Sequence, residues 1–594
     1  MTAIRRFPLS LPVVLSALLL LLLGSAAPAA AQERIPIADR INNAVEPVAA
    51  LAVKVVFFGV EVRDGVSLPI VLAILGGTAI FLTLYFRFIN FRAFGIAVRT
   101  ARGKYSSPDA PGEITHFQAL SAALSATVGL GNIAGVAVAI GLGGPGATFW
   151  MIVMGLFGMT TKFAECTLGV KYRRIDAKGK VRGGAMYYLR DGLRDTKLAP
   201  LGTVLAALFA VFVIGGAFGA GNMFQANQAF SQFSSTFLDA AADEADGGLK
   251  LAFGVVFAVL VGMVIIGGIV RIARVTAFLV PFMCGIYVIT ALYVILSNLG
   301  EIVPAIQLIV GSAFSNEAVA GGLVGVLIQG IRRAAFSNEA GLGSAPIAHS
   351  AVKTDKPASE GFVSLLEPFV DTVVVCTMTA LVIILTGTWR VSGEVNTGTP
   401  LLAAPGSAEV LRDLEPGQYL HLRNAGEGAV EVIGLVARED RSVEPIVGWV
   451  DEGAVTARRG VPMTSMAFAT ALPWFPVVLA IAVILFAFST MISWSYYGEQ
   501  GVIYLFGPLG DDKIKAAVLV YKLVFCALVV VGASSSLGNI LDLSDSMVFA
   551  MVLPNLIGLY LLLPVVKKEM QIYLEHVKAV DSKGSQPGGE SREG

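Results

Sequence analysis

The chain has 594 residues, of which 55% are hydrophobic and 14% charged, and its 43 basic and 43 acidic side chains cancel to a formal charge of zero. Soluble domains are about a quarter charged, so this composition, with a mean hydropathy of +0.74, excludes an ordinary soluble enzyme and predicts a multispanning membrane protein. The missing basic excess also excludes a nucleic-acid binder, which has to neutralise phosphates.

At the N-terminus, Arg5 and Arg6 precede an apolar stretch from Leu9 to Leu23 and small residues ending Ala29-Ala30-Ala31. Basic, apolar and A-x-A segments in that order read as a secretory signal peptide over 1–31 rather than a first span, because the apolar core is shorter than the ~20 residues a span requires. Residues 32–67 are then an external N-terminal segment. Apolar runs long enough to cross a bilayer follow at roughly 68–90, 115–142, 146–170, 201–230, 250–270, 275–298, 319–349, 361–388, 466–495, 514–534 and 546–565. The sequence thus predicts eleven helices, eight within 68–389 and three within 462–568.

Loop charges orient these spans. Arg87, Arg92, Arg99, Arg102 and Lys104 follow the first run, and Lys171, Arg173, Arg174, Lys178, Lys180 and Arg182 the third. Arg271 and Arg274 follow the fifth, Lys353 and Lys356 the seventh, Lys513 and Lys515 the ninth, Lys567 and Lys568 the last. Every basic loop falls on one side, while Asp239, Asp243, Glu244 and Asp246 occupy the other. An outside N-terminus and a cytoplasmic C-terminus in a plasma membrane follow, in agreement with the signal peptide.

The long loop over 390–461 carries six arginines against eleven carboxylates between Glu394 and Arg459, a net charge of −5. Its alternating runs at 418–423, 429–436 and 445–450, separated by Asn424-Ala-Gly and Glu452-Gly, predict a small β-rich external insert. The tail over 569–594 is rich in Ser, Gly and charge and is expected to be disordered. Cys166, Cys284, Cys376 and Cys526 all lie inside apolar runs and read as small buried hydrophobes. With four scattered histidines, they form no metal-binding spacing.

Irregular backbone survives in a bilayer only where it lines a cavity, because each unpaired amide there costs several kcal/mol. Glycine-rich breaks therefore mark the candidate site. The second run contains Ser125-Ala-Thr-Val-Gly129-Leu-Gly131-Asn132-Ile-Ala-Gly135, and the seventh Arg332-Arg333-Ala-Ala-Phe336-Ser337-Asn338-Glu339-Ala-Gly341-Leu-Gly343. Counted from the second helix these are the first and sixth of ten, running in opposite directions. That is the pattern of an inverted-repeat secondary transporter.

The run from Ala119 to Gly135 and the segment Gly143 to Met151 resemble the alanine or glycine:cation symporter family. So do Gly221-Asn-Met-Phe-Gln-Ala-Asn227, Phe336 to Pro346, and Trp494-Ser-Tyr-Tyr-Gly-Glu499. The resemblance runs from about 68 to 568, apart from the acidic insert. It implies sodium-coupled uptake of alanine, glycine or a similar small neutral amino acid by alternating access, without covalent chemistry. The implied fold is an all-α polytopic one with a five-plus-five inverted-repeat, leucine-transporter-like core and one leading helix.

By the same resemblance, Gly129, Gly131 and Asn132 bind the substrate carboxylate, Gln225 hydrogen-bonds the zwitterion, and Trp494 closes the pocket and caps side-chain size. Sodium is the coupling ion, and Ser489 and Thr490 are its candidate ligands, since hydroxyls beside free carbonyls suit a hard cation. Ionisable residues inside spans face a cavity or one another. Arg333, Glu339, Glu367 and Asp371 are accordingly gate or ion-pair candidates, with Glu367 and Asp371 four apart on one helix face, where Arg333 or Lys162 could pair with them. Leu130 and Ile152 depart from the family's usual Thr and Trp, which bears on the substrate rather than the fold. Two rival readings are proton coupling through a buried carboxylate such as Glu339 or Asp371, and a transporter-like receptor acting through the external insert. The short inside loops offer such a receptor no output module.

Overall fold

The computed structural model describes residues 37–389 and 460–584, except 64–65, 108, 178, 239–244, 267 and 315–321, together with strand segments between 419 and 445. The expected signal peptide, much of the insert expected to be external, the loop acids Asp239, Asp243 and Glu244 and the last ten residues lie outside the described residues.

The segment expected to be external forms α1 (Ile37–Val56) and a hairpin of β1 (Gly59–Arg63) and β2 (Val66–Pro69). Then come α2 (Ile70–Tyr85), α3 (His116–Thr127), α4 (Gly131–Gly143), α5 (Gly146–Lys171), α6 (Ala185–Gly192), α7 (Ala199–Phe237) and α8 (Gly247–Ile265). Next are α9 (Gly268–Ser297), α10 (Ile302–Phe314), α11 (Gly322–Asn338), α12 (Ala345–His349) and α13 (Pro357–Leu385). After the insert follow α14 (Val461–Ala471), α15 (Phe475–Phe506), α16 (Asp511–Ser534), α17 (Leu537–Phe549) and α18 (Val552–Gly584).

Among the described residues, eight helices are long and apolar enough to cross a membrane, or nine if α3 and α4, bent by 49°, count as one broken span. Two further expected spans fall on the shorter helices α2, of 16 residues, and α11, of 17. The run expected at 466–495 divides into α14 and α15 around Pro473 and Pro476, because proline lacks the amide a continuing helix needs. The tail expected to be disordered instead continues α18 as far as Gly584. Buried Tyr573 meets the Thr100 hydroxyl at 2.9 Å, and Lys104 pairs with Asp581 at 2.8 Å, so contacts made far along the chain order it.

Capping sets the ends of the core helices. Thr115 opens α3 with a capping box, its hydroxyl accepting from Gln118 N at 3.2 Å while Gln118 Oε1 accepts from Thr115 N at 3.0 Å. Asp246 opens α8 by accepting from Gly248 N and Leu249 N. The centre is α5, whose small residues let neighbours approach closely. A Cβ at Gly158 would lie 2.9 Å from that of Ala340, and one at Gly155 would lie 2.9 Å from Thr372. At the periphery α8 and α16 turn Val255, Val256, Val259, Leu519 and Leu523 outward. All four cysteines are free; Cys166 and Cys376 are buried, as expected, while Cys284 and Cys526 are partly exposed.

The insert contains β3 (Tyr419–Gly426), β4 (Ala429–Ala437) and β5 (Val443–Pro445), paired antiparallel in that order. Its first two strands coincide with the expected alternating runs. The third lies at the start of its run, and residues 446–450 are outside the described residues.

Candidate functional site

Both glycine-rich segments break their helices. After Thr127 the chain leaves the helix at Val128, whose ψ is 93°, and re-enters a wide helical turn at Gly131–Gly135. The second break runs from Glu339, with φ +58°, through Gly341 and Gly343, with φ +90° and +78°. Such angles strain any residue with a Cβ. A Cβ at Gly343 would also press on Asn555 and Phe209.

The two breaks face each other across a narrow cavity. Gly129, Gly131, Gln225 and Trp494, four of the residues expected to bind substrate, line it together with Glu339 from the second break. The remaining wall is Ala126, Thr127, Ala220, Phe336 and Val548, drawn from α3, α7, α11 and α17. As small or apolar residues in apolar runs, they carry no signal that separates them from ordinary core.

Gln225 Nε2 donates to the Ala220 carbonyl at 2.9 Å, which leaves Oε1 buried, without a partner among the described residues, and directed at Gly129. Trp494 Nε1 donates to Glu339 Oε1 at 3.0 Å, and the Ser344 hydroxyl donates to Oε2. The cavity therefore presents a carboxylate and a free amide oxygen on one side. Gly131 opens α4, whose first amides have no acceptor within their own helix.

Asn132, the fifth expected substrate residue, lies behind the cavity. Its Oδ1 accepts from Gly129 N at 2.8 Å, and its Nδ2 donates to Asp371 Oδ1 at 2.6 Å and to the Asp371 carbonyl at 3.0 Å. Ser337, on the last turn of α11, donates to Asp371 Oδ2 at 2.8 Å, as does Thr372. One buried carboxylate thus ties the two breaks together. Among the described residues neither Asp371 nor Glu339 forms an ion pair with Lys, Arg or His within 4 Å.

The expected cation ligands meet the end of α3. The Thr490 hydroxyl donates to the Ser125 carbonyl at 3.1 Å, and the Ser489 hydroxyl to the Phe486 carbonyl at 3.0 Å. The Ser125 hydroxyl donates to the Ser489 carbonyl at 2.9 Å and receives from Ser493 at 3.0 Å. This is a buried patch made only of hydroxyl and carbonyl oxygens, the donor set a hard monovalent cation takes. A Cβ at Gly129 would strike Thr490 Oγ1, so glycine is needed there for α15 to approach.

The remaining ionisable candidates separate into two places. Lys162 meets Glu367 at 3.2 Å, and Glu367 approaches His349 at 3.4 Å. His349 contacts Glu360 Oε1 at 2.6 Å, and His116 contacts the other oxygen of the same carboxylate. Arg333 does not join this network. It pairs with buried Asp545 on α17, as does Arg332 at 2.6 Å, because the α11 turn before Phe336 points toward α17. The partners Asp545, Glu360 and the two histidines were not legible in the sequence, since they lie on separate helices and belong to no motif, with Arg333 and Asp545, and His116 and Glu360, more than 200 residues apart.

A model for the sodium:alanine symporter family matches residues 55–410 and 446–586. The chain is 38% identical over 508 residues to the sodium/alanine symporter AgcS of Methanococcus maripaludis, covering 85% of this chain and 94% of that one. It is 30% identical to a probable sodium/glutamine symporter, GlnT, of Bacillus subtilis, over 84% of this chain and 87% of that one. Among solved structures, MhsT in complex with L-phenylalanine aligns with 76% of this chain and 88% of its own at a TM-score of 0.46 and 16% identity. On the family match and the length of the AgcS alignment, the chain belongs to the sodium:alanine symporter family.

Proposed function

We propose that the protein imports alanine, glycine or a similar small neutral amino acid together with sodium, by alternating access through eleven spans with the N-terminus outside. The observation that carries this reading is the cavity between the two helix breaks. It offers helix-start amides at Gly131 to a carboxylate, and Gln225 Oε1 with the Glu339 carboxylate to an ammonium. Trp494 and Phe336 close the side-chain end, which leaves room only for a small substituent. At about 10 Å³ the cavity admits even alanine only when its walls part, as an alternating-access cycle requires.

Sodium enters this reading at the oxygen patch of Ser125, Phe486, Ser489 and Thr490. The Asp371 cluster supports a second cation, since its carboxylate has hydroxyl and amide neighbours but no ion-pair partner among the described residues. The same lack of a basic partner favours a second reading, in which a proton neutralises Asp371 or Glu339 and drives uptake.

Uptake of labelled alanine and glycine into proteoliposomes under an imposed sodium gradient, a proton gradient or neither separates these readings. Accumulation driven by sodium at clamped pH supports the first, and accumulation driven only by protons replaces it with the second. Absence of uptake under both gradients, across a panel of small amino acids, would sink both.

A further inference from the structure

A groove of about 680 Å³ lies where α5 ends, α6 closes and α7 begins, far from the transport cavity. Lys171, Arg173, Arg174, Arg190 and Arg194 line it against two acids, Asp191 and Asp195. Local partners account for part of this charge. Arg174 holds Asp191 through two contacts, at 2.8 and 2.5 Å, and Lys171 reaches Glu569 on α18 at 2.5 Å. Arg173 is occupied by backbone, with the carbonyls of Ser350, Val352, Pro111 and Thr354 around its guanidinium. Among the described residues, Arg190 hydrogen-bonds the Tyr504 hydroxyl, and neither Arg190 nor Arg194 has a carboxylate within ion-pair distance. Two exposed guanidinium groups are thus left on a positively charged surface, each able to offer a planar fork of N–H donors to a phosphate.

The place of the groove selects the occupant. Lys171 is the last residue of one membrane-crossing helix and Ala199 the first of the next, so the groove sits at headgroup level. Directly along α7 from its rim, Leu201, Val204, Leu208 and Val211 recur every three or four residues and are 40–56% exposed. A free anion would use the charges and leave this stripe unused. A molecule with a phosphate head and hydrocarbon tails matches both, and basic pockets between helices at this level are suited to anionic headgroups. We propose that the groove binds an anionic phospholipid, its phosphate between Arg190 and Arg194 and an acyl chain along the outer face of α7.

Thermal unfolding and retained-lipid mass spectrometry of the full-length protein, titrated with phosphatidylglycerol, phosphatidylcholine or inorganic phosphate, test this. Phosphatidylglycerol is expected to bind and stabilise at lower concentration than phosphatidylcholine, while inorganic phosphate gives no comparable shift. In the Arg190→Gln/Arg194→Gln variant the apparent affinity for phosphatidylglycerol falls about tenfold, as expected for two surface cations. Lys513→Gln, on the first turn of α16 and outside the groove, leaves it unchanged. Equal binding of both lipids, an unaltered affinity in the double variant, or an equal loss in Lys513→Gln overturns the proposal. A full shift with inorganic phosphate alone also overturns it, in favour of a free-anion site.

Discussion

Trp494 illustrates how single residues build the cavity. Its ring fills a slot opened by the missing side chains of Gly216 and Gly221, and its indole N–H ends on Glu339. Removing the ring should widen the side-chain end of the pocket. In Trp494→Ala, valine is expected to compete with labelled alanine about tenfold better than in the parent protein, since a hydrophobic pocket discriminates by roughly that factor per added carbon. Unchanged competition would show that the ring does not limit size. Gly129 makes a complementary case, because a methyl group there meets Thr490 Oγ1. Gly129→Ala should cut uptake about tenfold or more through overpacking. Adding Thr490→Ala should restore folded protein without restoring sodium dependence; full recovery of sodium-driven uptake would remove Thr490 from the cation site. The glycine breaks were readable in the sequence because irregular backbone in a membrane needs such residues, whereas Trp494, Ser489 and Thr490 were singled out by the family resemblance. Phe336 and Val548 were not readable as cavity residues, because an apolar wall of a cavity looks like core until the helices are assembled.

At the scale of elements, the cavity lies between two ionic ties. On one side Arg332 and Arg333 bind α11 to Asp545 on α17, one turn from the cavity-lining Phe336 and Val548. On the other, Glu360 uses one oxygen for His116 on α3 and the other for His349 on α12, joining the half-helices that lie beyond the two breaks. Any cycle that swings α3 away from α12 has to break this clasp. Glu360→Gln keeps the shape and removes the charge, so the clasp should loosen. A cysteine introduced at buried Ser121 on α3 is then expected to react several-fold faster with a membrane-impermeant maleimide from that side than in the parent. Equal rates would identify the cluster as static packing. The sequence offered Lys162 as a possible partner of Glu367 because ionisable groups inside spans face a cavity or one another, and the two do meet, at 3.2 Å. The same reasoning offered Arg333 to Glu367 or Asp371, whereas Arg333 pairs with Asp545 on α17, because burial inside a span does not say which helix face a side chain meets.

For the molecule as a whole, the family match omits 411–445, the stretch that holds the three strands found among the described residues of the insert. The insert enters after Trp389 and returns at Gly460, which packs on Gln228 beside α14. An addition joined through a loop is tolerated when the backbone it leaves behind is still paired. Replacing 411–445 with a short flexible linker should therefore leave proteoliposome uptake within about twofold of the parent. A larger loss with normal membrane yield would assign the insert a part in transport.

The sequence by itself determined that this chain lives in a membrane and that its helices break at two glycine-rich points, because hydrocarbon permits few exceptions to apolar, fully paired backbone. Family motifs then located the cavity residues. Only the tertiary structure decided that Asn132 and Ser337 meet on Asp371, that Glu360 joins His116 to His349, that Arg333 belongs to Asp545, and that a helical tail docks against Thr100 and Lys104. Each of these depends on which helix faces lie together across long sequence separations, and periodicity within one helix contains no term for its neighbour.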